Sequence, residues 1–274
     1  MRFLYNIGIR LYATLLWLLV PFHGKAKLWV DGRKNLLDKI AQTVEKGAKP
    51  IWFHFASLGE FEQGRSVLEA IKRKYPAEKI LITFFSPSGY EFRKNTPLSD
   101  YVFYLPNDTA QHAKRFLDLV DPKLAIFTKY EFWYHYFDAL EKRNIRLIMI
   151  SAIFRDEQLF FKSYGSFYRG VLKKVSFFFA QNMDSVHLLK WIGITHAGLA
   201  GDTRFDRVVE LPRQQRSIVE VQQFLADGSP VMVAGSTWEP DEEILQQLMQ
   251  HAPAWKLILA PHEIHAAHLA AIAK

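Results

Sequence analysis

Glu60 is the carboxylate that this sequence places best for acid–base chemistry. It closes the segment Ala56-Ser57-Leu58-Gly59-Glu60, where the apolar run Ile51–Ala56 gives way to a helical pattern. The positive end of a helix favours a carboxylate in its first turn. Such a group can act as general base once a substrate hydroxyl comes within hydrogen-bond reach. The same residue also satisfies the ordinary first-turn preference of a helix, and Gly59 permits a tight turn or close backbone approach. A second strand-to-helix loop reads Thr128-Lys129-Tyr130-Glu131-Phe132-Trp133. Lys129 and Glu131 there suit a polyhydroxylated, anionic ligand such as a sugar acid, or they pair with each other and hold the loop. A third loop, Ser86-Pro87-Ser88-Gly89-Tyr90, offers serines and amides that hold an anion or shape a turn.

Further along, Gly235-Ser236-Thr237-Trp238-Glu239 leaves an apolar run and enters a helix at Pro240. Its amides, hydroxyls and helix dipole suit a nucleotide phosphate. The next such loop is Ala260-Pro261-His262-Glu263. His262, Glu263, His265 and His268 lack the H-E-x-x-H spacing of a zinc site, since position 266 is Ala. They read as a polar helix start, and no metal is expected. Neither a Walker A loop nor G-x-G-x-x-G occurs, so neither a P-loop NTPase nor a dinucleotide oxidoreductase is supported.

The elements that must position these loops alternate regularly. Ile51–Ala56, Lys79–Phe85, Tyr101–Leu105, Leu124–Thr128, Arg146–Ser151 and Ser176–Ala180 are short apolar runs that read as buried strands. Phe61–Lys74, Thr109–Leu119, Glu131–Lys142, Leu159–Lys173 and Ser185–Ile192 carry apolar residues three and four apart, as helices do. Asp108 and Asp184 are expected N-caps. The alternation predicts an α/β fold with a doubly wound parallel sheet over residues 31–200. Residues 201–228 are more polar and read as a linker. A second alternation over 229–274 has two βα units, fewer than a usual sheet needs, so this domain is expected to be cut short.

The N-terminus, residues 1–30, contains a charge-free apolar stretch of only 12 residues, Leu11–Phe22. A spanning helix needs about 20. Flanking aromatics (Tyr5, Tyr12, Trp17, Trp29) and the basic segment that holds Lys25, Lys27, Arg33 and Lys34 suit a helix lying in an anionic membrane surface. A helix packed on its own domain fits the same residues.

Composition narrows the classes. The 274 residues carry 35 Lys+Arg against 28 Asp+Glu, for a net charge of +7, with 49% hydrophobic residues. That excludes a disordered or collagen-like chain. The absence of Cys removes disulfides, thiolate catalysis and Cys-ligated metals. The cations are spread out and no nucleic-acid motif is visible, so nucleic acid is not an expected partner.

His54-Phe55-Ala56-Ser57-Leu58-Gly59-Glu60 resembles the H-x-x-S-x-G-E segment of the transferases of 3-deoxy-D-manno-octulosonic acid (Kdo). Lys129–Trp133 is similar to that family's E-x-E-x-W segment, and Ser151-Ala152 to its S-A-R. Gly201-Asp202-Thr203-Arg204-Phe205-Asp206 resembles G-N-x-K-F-D, Gly235–Glu239 resembles A-S-T-x-x-G-E, and Ala260-Pro261-His262 resembles A-P-R-H. Each motif alone is weak; six in one order, at strand ends, are specific. There are departures. Thr128-Lys129 replaces the first Glu, Asp202 stands for Asn, Arg204 for Lys, and the Arg of A-P-R-H is missing.

The resemblance implies a GT-B glycosyltransferase with a membrane-associated N-terminal helix, at the cytoplasmic face of a bacterial inner membrane. It implies inverting transfer of Kdo from CMP-Kdo to the lipid A precursor lipid IVA, with no metal or other cofactor. By the same resemblance Glu60 is the base, and Ser57, Gly59, Lys129 and Glu131 lie near the acceptor or sugar acid. Arg204, Ser236, Thr237, Pro261 and His262 fall on the donor side. Family members continue with a glycine-rich nucleotide loop and a terminal helix, so the chain is expected to be truncated and to lack a complete donor site. The alternatives are a GT-B enzyme with another nucleotide sugar and a non-catalytic binder of anionic lipid at a membrane surface.

Overall fold

The computed structural model describes residues 1–129, 131–210 and 217–273. The chain divides into two compact units, Met1–Arg213 and Gln214–Lys274. The first opens with helices α1 (Arg2–Leu18), α2 (Gly24–Asp31) and α3 (Leu36–Thr43). Strands and helices then alternate: β1 (Ile51–Phe55), α4 (Leu58–Lys74), β2 (Ile80–Phe84), α5 (Pro87–Arg93), β3 (Tyr101–Tyr104), α6 (Ala110–Val120) and β4 (Leu124–Thr128). They continue through α7 (Tyr134–Lys142), β5 (Arg146–Ala152), α8 (Ser166–Leu172), β6 (Phe177–Ala180), α9 (Met183–Trp191), β7 (Ala197–Leu199) and α10 (Thr203–Glu210).

The seven strands form one sheet in the order β3-β2-β1-β4-β5-β6-β7. Every pairing is parallel. The central strands β1 and β2 are buried along their whole length, whereas Phe179 of β6 and Leu199 of β7 are exposed. Side chains of β1 alternate between two cores. Trp52 packs with Phe116, Phe127 and Tyr136 on one face, and Phe53 and Phe55 share the core of Phe61, Leu68 and Phe84 on the other. Helix α4 lies very close to the second face. A Cβ on Gly64 would sit 2.4 Å from the Phe55 ring and 3.2 Å from Thr128 Oγ1.

The structure departs from the sequence reading at several element ends. β7 was not expected, since Ala197-Gly198-Leu199 is too short to carry a pattern. The expected helix Leu159–Lys173 is a 3₁₀ turn, Leu159–Phe161, followed by α8. The Arg169 guanidinium donates to the carbonyls of Phe160 and Lys162, at 3.0 and 2.7 Å, and holds the break open. α7 starts at Tyr134 rather than Glu131. The caps also differ. Thr109 caps α6 by accepting from the His112 amide, and Asn182 caps α9 by accepting from Ser185.

Asp108 instead crosses to α7. Its carboxylate accepts the amides of His135 and Tyr136, each at 3.0 Å, and the Tyr5 hydroxyl of α1. Burial raises Asp108 to about 6 despite these three donors. Burial and the neighbouring Asp108 charge push Tyr5 upward in turn. This contact fixes the inner face of α1 on the sheet edge. The opposite face is bare: Phe3, Leu4, Leu11, Leu15, Trp17 and Leu18 are exposed. Among the described residues no helix is long and apolar enough to cross a membrane.

Segment 201–228, read as a linker, is structured on both sides of the undescribed residues 211–216. α10 packs against α4 within the first unit. The second unit contains α11 (Val219–Phe224), β8 (Val231–Thr237), α12 (Glu239–His251), β9 (Lys256–Pro261) and α13 (Ala266–Ile272). β8 and β9 pair in parallel.

Candidate active site

The strand order reverses at β1, with β2 on one side and β4 on the other. Ligands in open parallel sheets bind where the order reverses, beyond the carboxyl ends of the strands. The loops leaving β1 and β4 hold Glu60 and Glu131. Ser57 is the extended N-cap of α4, and Glu60 lies in the first turn. The Ser57 hydroxyl donates to the Glu60 carboxylate instead of capping a backbone amide. Gly59 has no tight-turn requirement, contrary to the expectation. Its φ is not left-handed, and a Cβ there would meet only Ser57 Oγ, at 3.7 Å. What its missing side chain does is leave the rim beside Ser57 and Glu60 open.

The β4 loop is strained. Lys129 has φ 58°, in the left-handed region that L residues rarely occupy. Ser151 at the end of β5 and Ser236 at the end of β8 share this feature, with φ 51° and 58°. Such strain persists only where surrounding structure imposes it, and it clusters at functional sites. The Lys129 amide donates to Ile150 O at 3.1 Å, locking the turn to β5. Lys129 and Glu131 do not pair. Among the described residues Lys129 makes no ion pair, and the only partner of Glu131 is His54, with Nε2 3.3 Å from Oε2. His54 is fully buried in β1. Tyr130 lies outside the described residues.

A second polar cluster sits where β4, β5, α4 and α10 converge. Ser151 Oγ lies 2.7 Å from Thr203 Oγ1, and Thr203 in turn donates to the Gln63 carbonyl. Gln63 Nε2 donates to Asp202 at 3.1 Å. Arg204, assigned to the donor side from sequence, pairs locally with Asp202 through Nε at 2.8 Å. Burial opposes ionisation of Asp202, but the Arg204 hydrogen bonds and charge prevail and hold it below the usual carboxylate range. Among the described residues, Gln63 Oε1 and Thr128 Oγ1 are buried there without a hydrogen-bond partner.

On the rim near β2 and β3, the Arg33 guanidinium donates to the carbonyls of Trp29, Leu105 and Phe85 and lies 3.9 Å over the Trp29 ring. Its surroundings are aromatic rather than acidic, and burial lowers it to about 9. The Ser86 loop shapes a turn: Ser86 and Ser88 hydroxyls bond each other at 2.7 Å as α5 begins.

In the second unit, Thr237 is buried and donates to Glu242 at 3.0 Å, while Ser236 is exposed on its strained backbone. Pro261 ends β9. The amide of His262 donates to the Thr237 carbonyl at 2.9 Å, and its ring stacks on Trp238 at 4.4 Å. His265 caps α13 by accepting from the His268 amide. Among the described residues no group of three or more His, Cys, Asp or Glu could hold a metal ion.

Sequence reasoning gave no role to His54, Thr83, Trp133 or Gln63, and it set Arg33 with the basic residues of a membrane surface, whereas its guanidinium turns inward onto Trp29 and three backbone carbonyls. A histidine inside an apolar strand was the one available signal, because a buried imidazole must find polar partners.

Similarity to known proteins agrees with this geometry. The profile of the 3-deoxy-D-manno-octulosonic-acid transferase (kdotransferase) family matches residues 32–207. The chain is 28% identical to a 3-deoxy-D-manno-octulosonic acid transferase of Haemophilus influenzae, covering 77% of this chain and 51% of the relative. With the corresponding protein of Rickettsia felis it shares 26%, over 81% of this chain and 47% of that one. The chain thus spans about half the length of the curated relatives it matches. Among solved structures, the UDP-GlcNAc 2-epimerase of Neisseria meningitidis superposes with a TM-score of 0.56 at 15% identity, covering 79% of this chain and 66% of that chain. The wall teichoic acid polymerase TagF superposes at 0.51 with 14% identity, covering 90% and 66%. These likenesses show the fold alone, an α/β architecture of the GT-B type. With a profile match over more than half its length, and with Glu60 and Glu131 at the reversal of a parallel sheet, the chain belongs to the 3-deoxy-D-manno-octulosonic-acid transferase family.

Proposed function

We propose that the protein is an inverting glycosyltransferase that moves Kdo from CMP-Kdo to the lipid A precursor lipid IVA. The observation that carries the reading is Glu60, held by Ser57 in the first turn of α4 at the sheet reversal and bordered by the open rim at Gly59. Glu60 takes the proton of an acceptor hydroxyl as that oxygen attacks the anomeric carbon of Kdo, and CMP departs from the opposite face. Lys129 and Glu131 contact the acceptor or the sugar acid. Ser236, Thr237, Pro261, His262 and Arg204 serve the donor. Dipoles and cations aimed at a departing phosphate stabilise its developing charge.

The acceptor is a lipid, and α1 supports work at a membrane surface. The bare apolar side of α1 lies in the cytoplasmic leaflet of the bacterial inner membrane, with Arg2, Arg10, Lys25 and Lys27 on anionic head groups. The test presents lipid IVA in anionic vesicles with CMP-Kdo to the full-length protein and follows Kdo transfer by mass spectrometry. Glu60→Gln is expected to slow transfer by ~10²–10⁴-fold, the usual range for a lost general base. Equal turnover in wild type and variant overturns the role of Glu60. Turnover with a UDP-hexose and none with CMP-Kdo overturns the donor.

A further inference from the structure

Glu131 is held from the core side by His54, and what orients His54 lies one strand away. A neutral imidazole has a single N–H. On the Nε2 side, Glu131 Oε2 lies at 3.3 Å and the Trp133 indole nitrogen at 3.2 Å. A carboxylate only accepts and an indole only donates, so Nε2 serves one of them at a time.

The choice is made at Nδ1. The β1–β2 register sets His54 beside Thr83, whose hydroxyl is 2.9 Å and whose carbonyl is 3.1 Å from Nδ1. The Trp52 indole donates to Thr83 Oγ1 at 2.8 Å, which leaves the hydroxyl proton of Thr83 to find an acceptor. Two are in reach: His54 Nδ1 at 2.9 Å and the Phe53 carbonyl at 3.5 Å. The shorter contact makes the stronger bond. A hydroxyl that donates to Nδ1 leaves the ring proton on Nε2, aimed at Glu131. Trp52, His54 and Thr83 are all fully buried, so no solvent competes.

We infer that Thr83 and His54 are positioning residues for Glu131, acting through a directed chain of hydrogen bonds from Trp52 through Thr83 and His54 to the carboxylate. Its consequence for turnover rests on the transferase reading above; the chain of bonds does not. The pairing is directional because the β1–β2 register fixes Trp52, Thr83 and His54 against one another. Glu131 therefore stands at the site edge in one orientation before any ligand arrives, which removes an ordering cost from binding.

Nitrogen-15 NMR of the histidine-labelled protein tests it, the His54 signals being those lost in His54→Asn. The expected wild-type state is the neutral ring protonated at Nε2. Thr83→Val keeps the shape and deletes the hydroxyl, so the proton should move to Nδ1, bonding the carbonyl at position 83, while Trp133 takes over Nε2. Thr83→Ser should restore the wild-type tautomer, and Trp133→Phe should leave it in place, which covers the case of a poorly folded Thr83→Val. In the vesicle assay Thr83→Val should lose ~10–100-fold in kcat/KM, the range for an outer partner that orients a functional group, and Thr83→Ser should recover it. A wild-type ring protonated at Nδ1, or a tautomer unmoved in Thr83→Val, overturns the inference. A tautomer that moves as expected in a protein that transfers no Kdo overturns the transferase reading and leaves the positioning of Glu131 standing.

Discussion

The two units bury their strands to very different extents. In the first, every residue of β1 and β2 is buried, and the polar groups among them reach partners on neighbouring strands. In the second, Val233 of β8 is 70% exposed and Ile244 of α12 is 66% exposed, and Thr237 and His268 are the buried residues among those described. The difference teaches what a site needs from its fold. His54 is oriented because β2 supplies Thr83 at a fixed register and helices exclude water from the pair. His262 reaches Thr237 and Trp238 of the neighbouring βα unit, yet both it and Ser236 stay exposed to solvent. Preorganisation follows burial: a group locked by a closed core keeps its direction, whereas an exposed one regains it only when a ligand arrives.

The sharpest way to break this contrast is to excavate each unit in turn. Trp52 touches Phe116, Phe127 and Tyr136, with ring centroids 4.8–5.7 Å away. Trp52→Ala should cost ~3–5 kcal/mol of unfolding free energy, as large aromatic truncations in closed cores do. Ile244→Ala should fall within ~0.5 kcal/mol, the range for surface changes. Urea denaturation of both variants reads the difference. Similar costs would mean that the second unit has a core as closed as the first.

Asp108 sharpens the contrast through pH. Its carboxyl is raised to about 6 by burial, above the usual value near ~3.9. The folded state therefore holds a proton that the unfolded state releases between these values. Its contribution is fully present below ~4 and is lost as pH rises through about 6. Asp108→Asn cannot ionise, so the stability of wild type should fall relative to the variant by up to ~3 kcal/mol between pH 4 and pH 7. Parallel pH profiles in urea melts of the two proteins would contradict it. In the second unit Asp227, held to about 2 by Lys256 and Ser229, is exposed and offers no comparable lever.

How much could be read in advance follows the same line. Six of the seven strands of the first unit announce themselves as apolar runs, because a strand covered on both faces can carry little else. β7 does not, since three residues carry no period. The start of α7 was misread because its first amides are claimed by Asp108, a residue on another loop whose partner no local pattern reveals. The placement of Glu60, Lys129 and Glu131 just beyond strand ends was legible because strand ends and first turns are local signatures. His54 and Thr83 were not: each looks like a core residue until the register of β1 against β2 brings them together. The left-handed backbone of Lys129 and Ser151 is likewise imposed from neighbouring strands, and neither residue type signals it.

A single hydrogen bond tests whether the second unit is independently weak. Thr237 Oγ1 donates to Glu242 Oε1 at 3.0 Å, and His268 Nε2 contacts the same oxygen at 3.1 Å. Thr237→Val keeps the side-chain shape and removes one donor, while Glu242 retains His268. A net hydrogen bond is worth ~1 kcal/mol, which corresponds to roughly fivefold in an opening equilibrium. Native-state hydrogen exchange should thus show amides of β8 and α12 exchanging about fivefold faster, with those of β1 unchanged. That pattern means the two units open separately, so that the loosening of one leaves Glu60 and Glu131 in place. Faster exchange in β1 as well would tie the two cores into one cooperative unit and remove the basis for treating the first as the preorganised half.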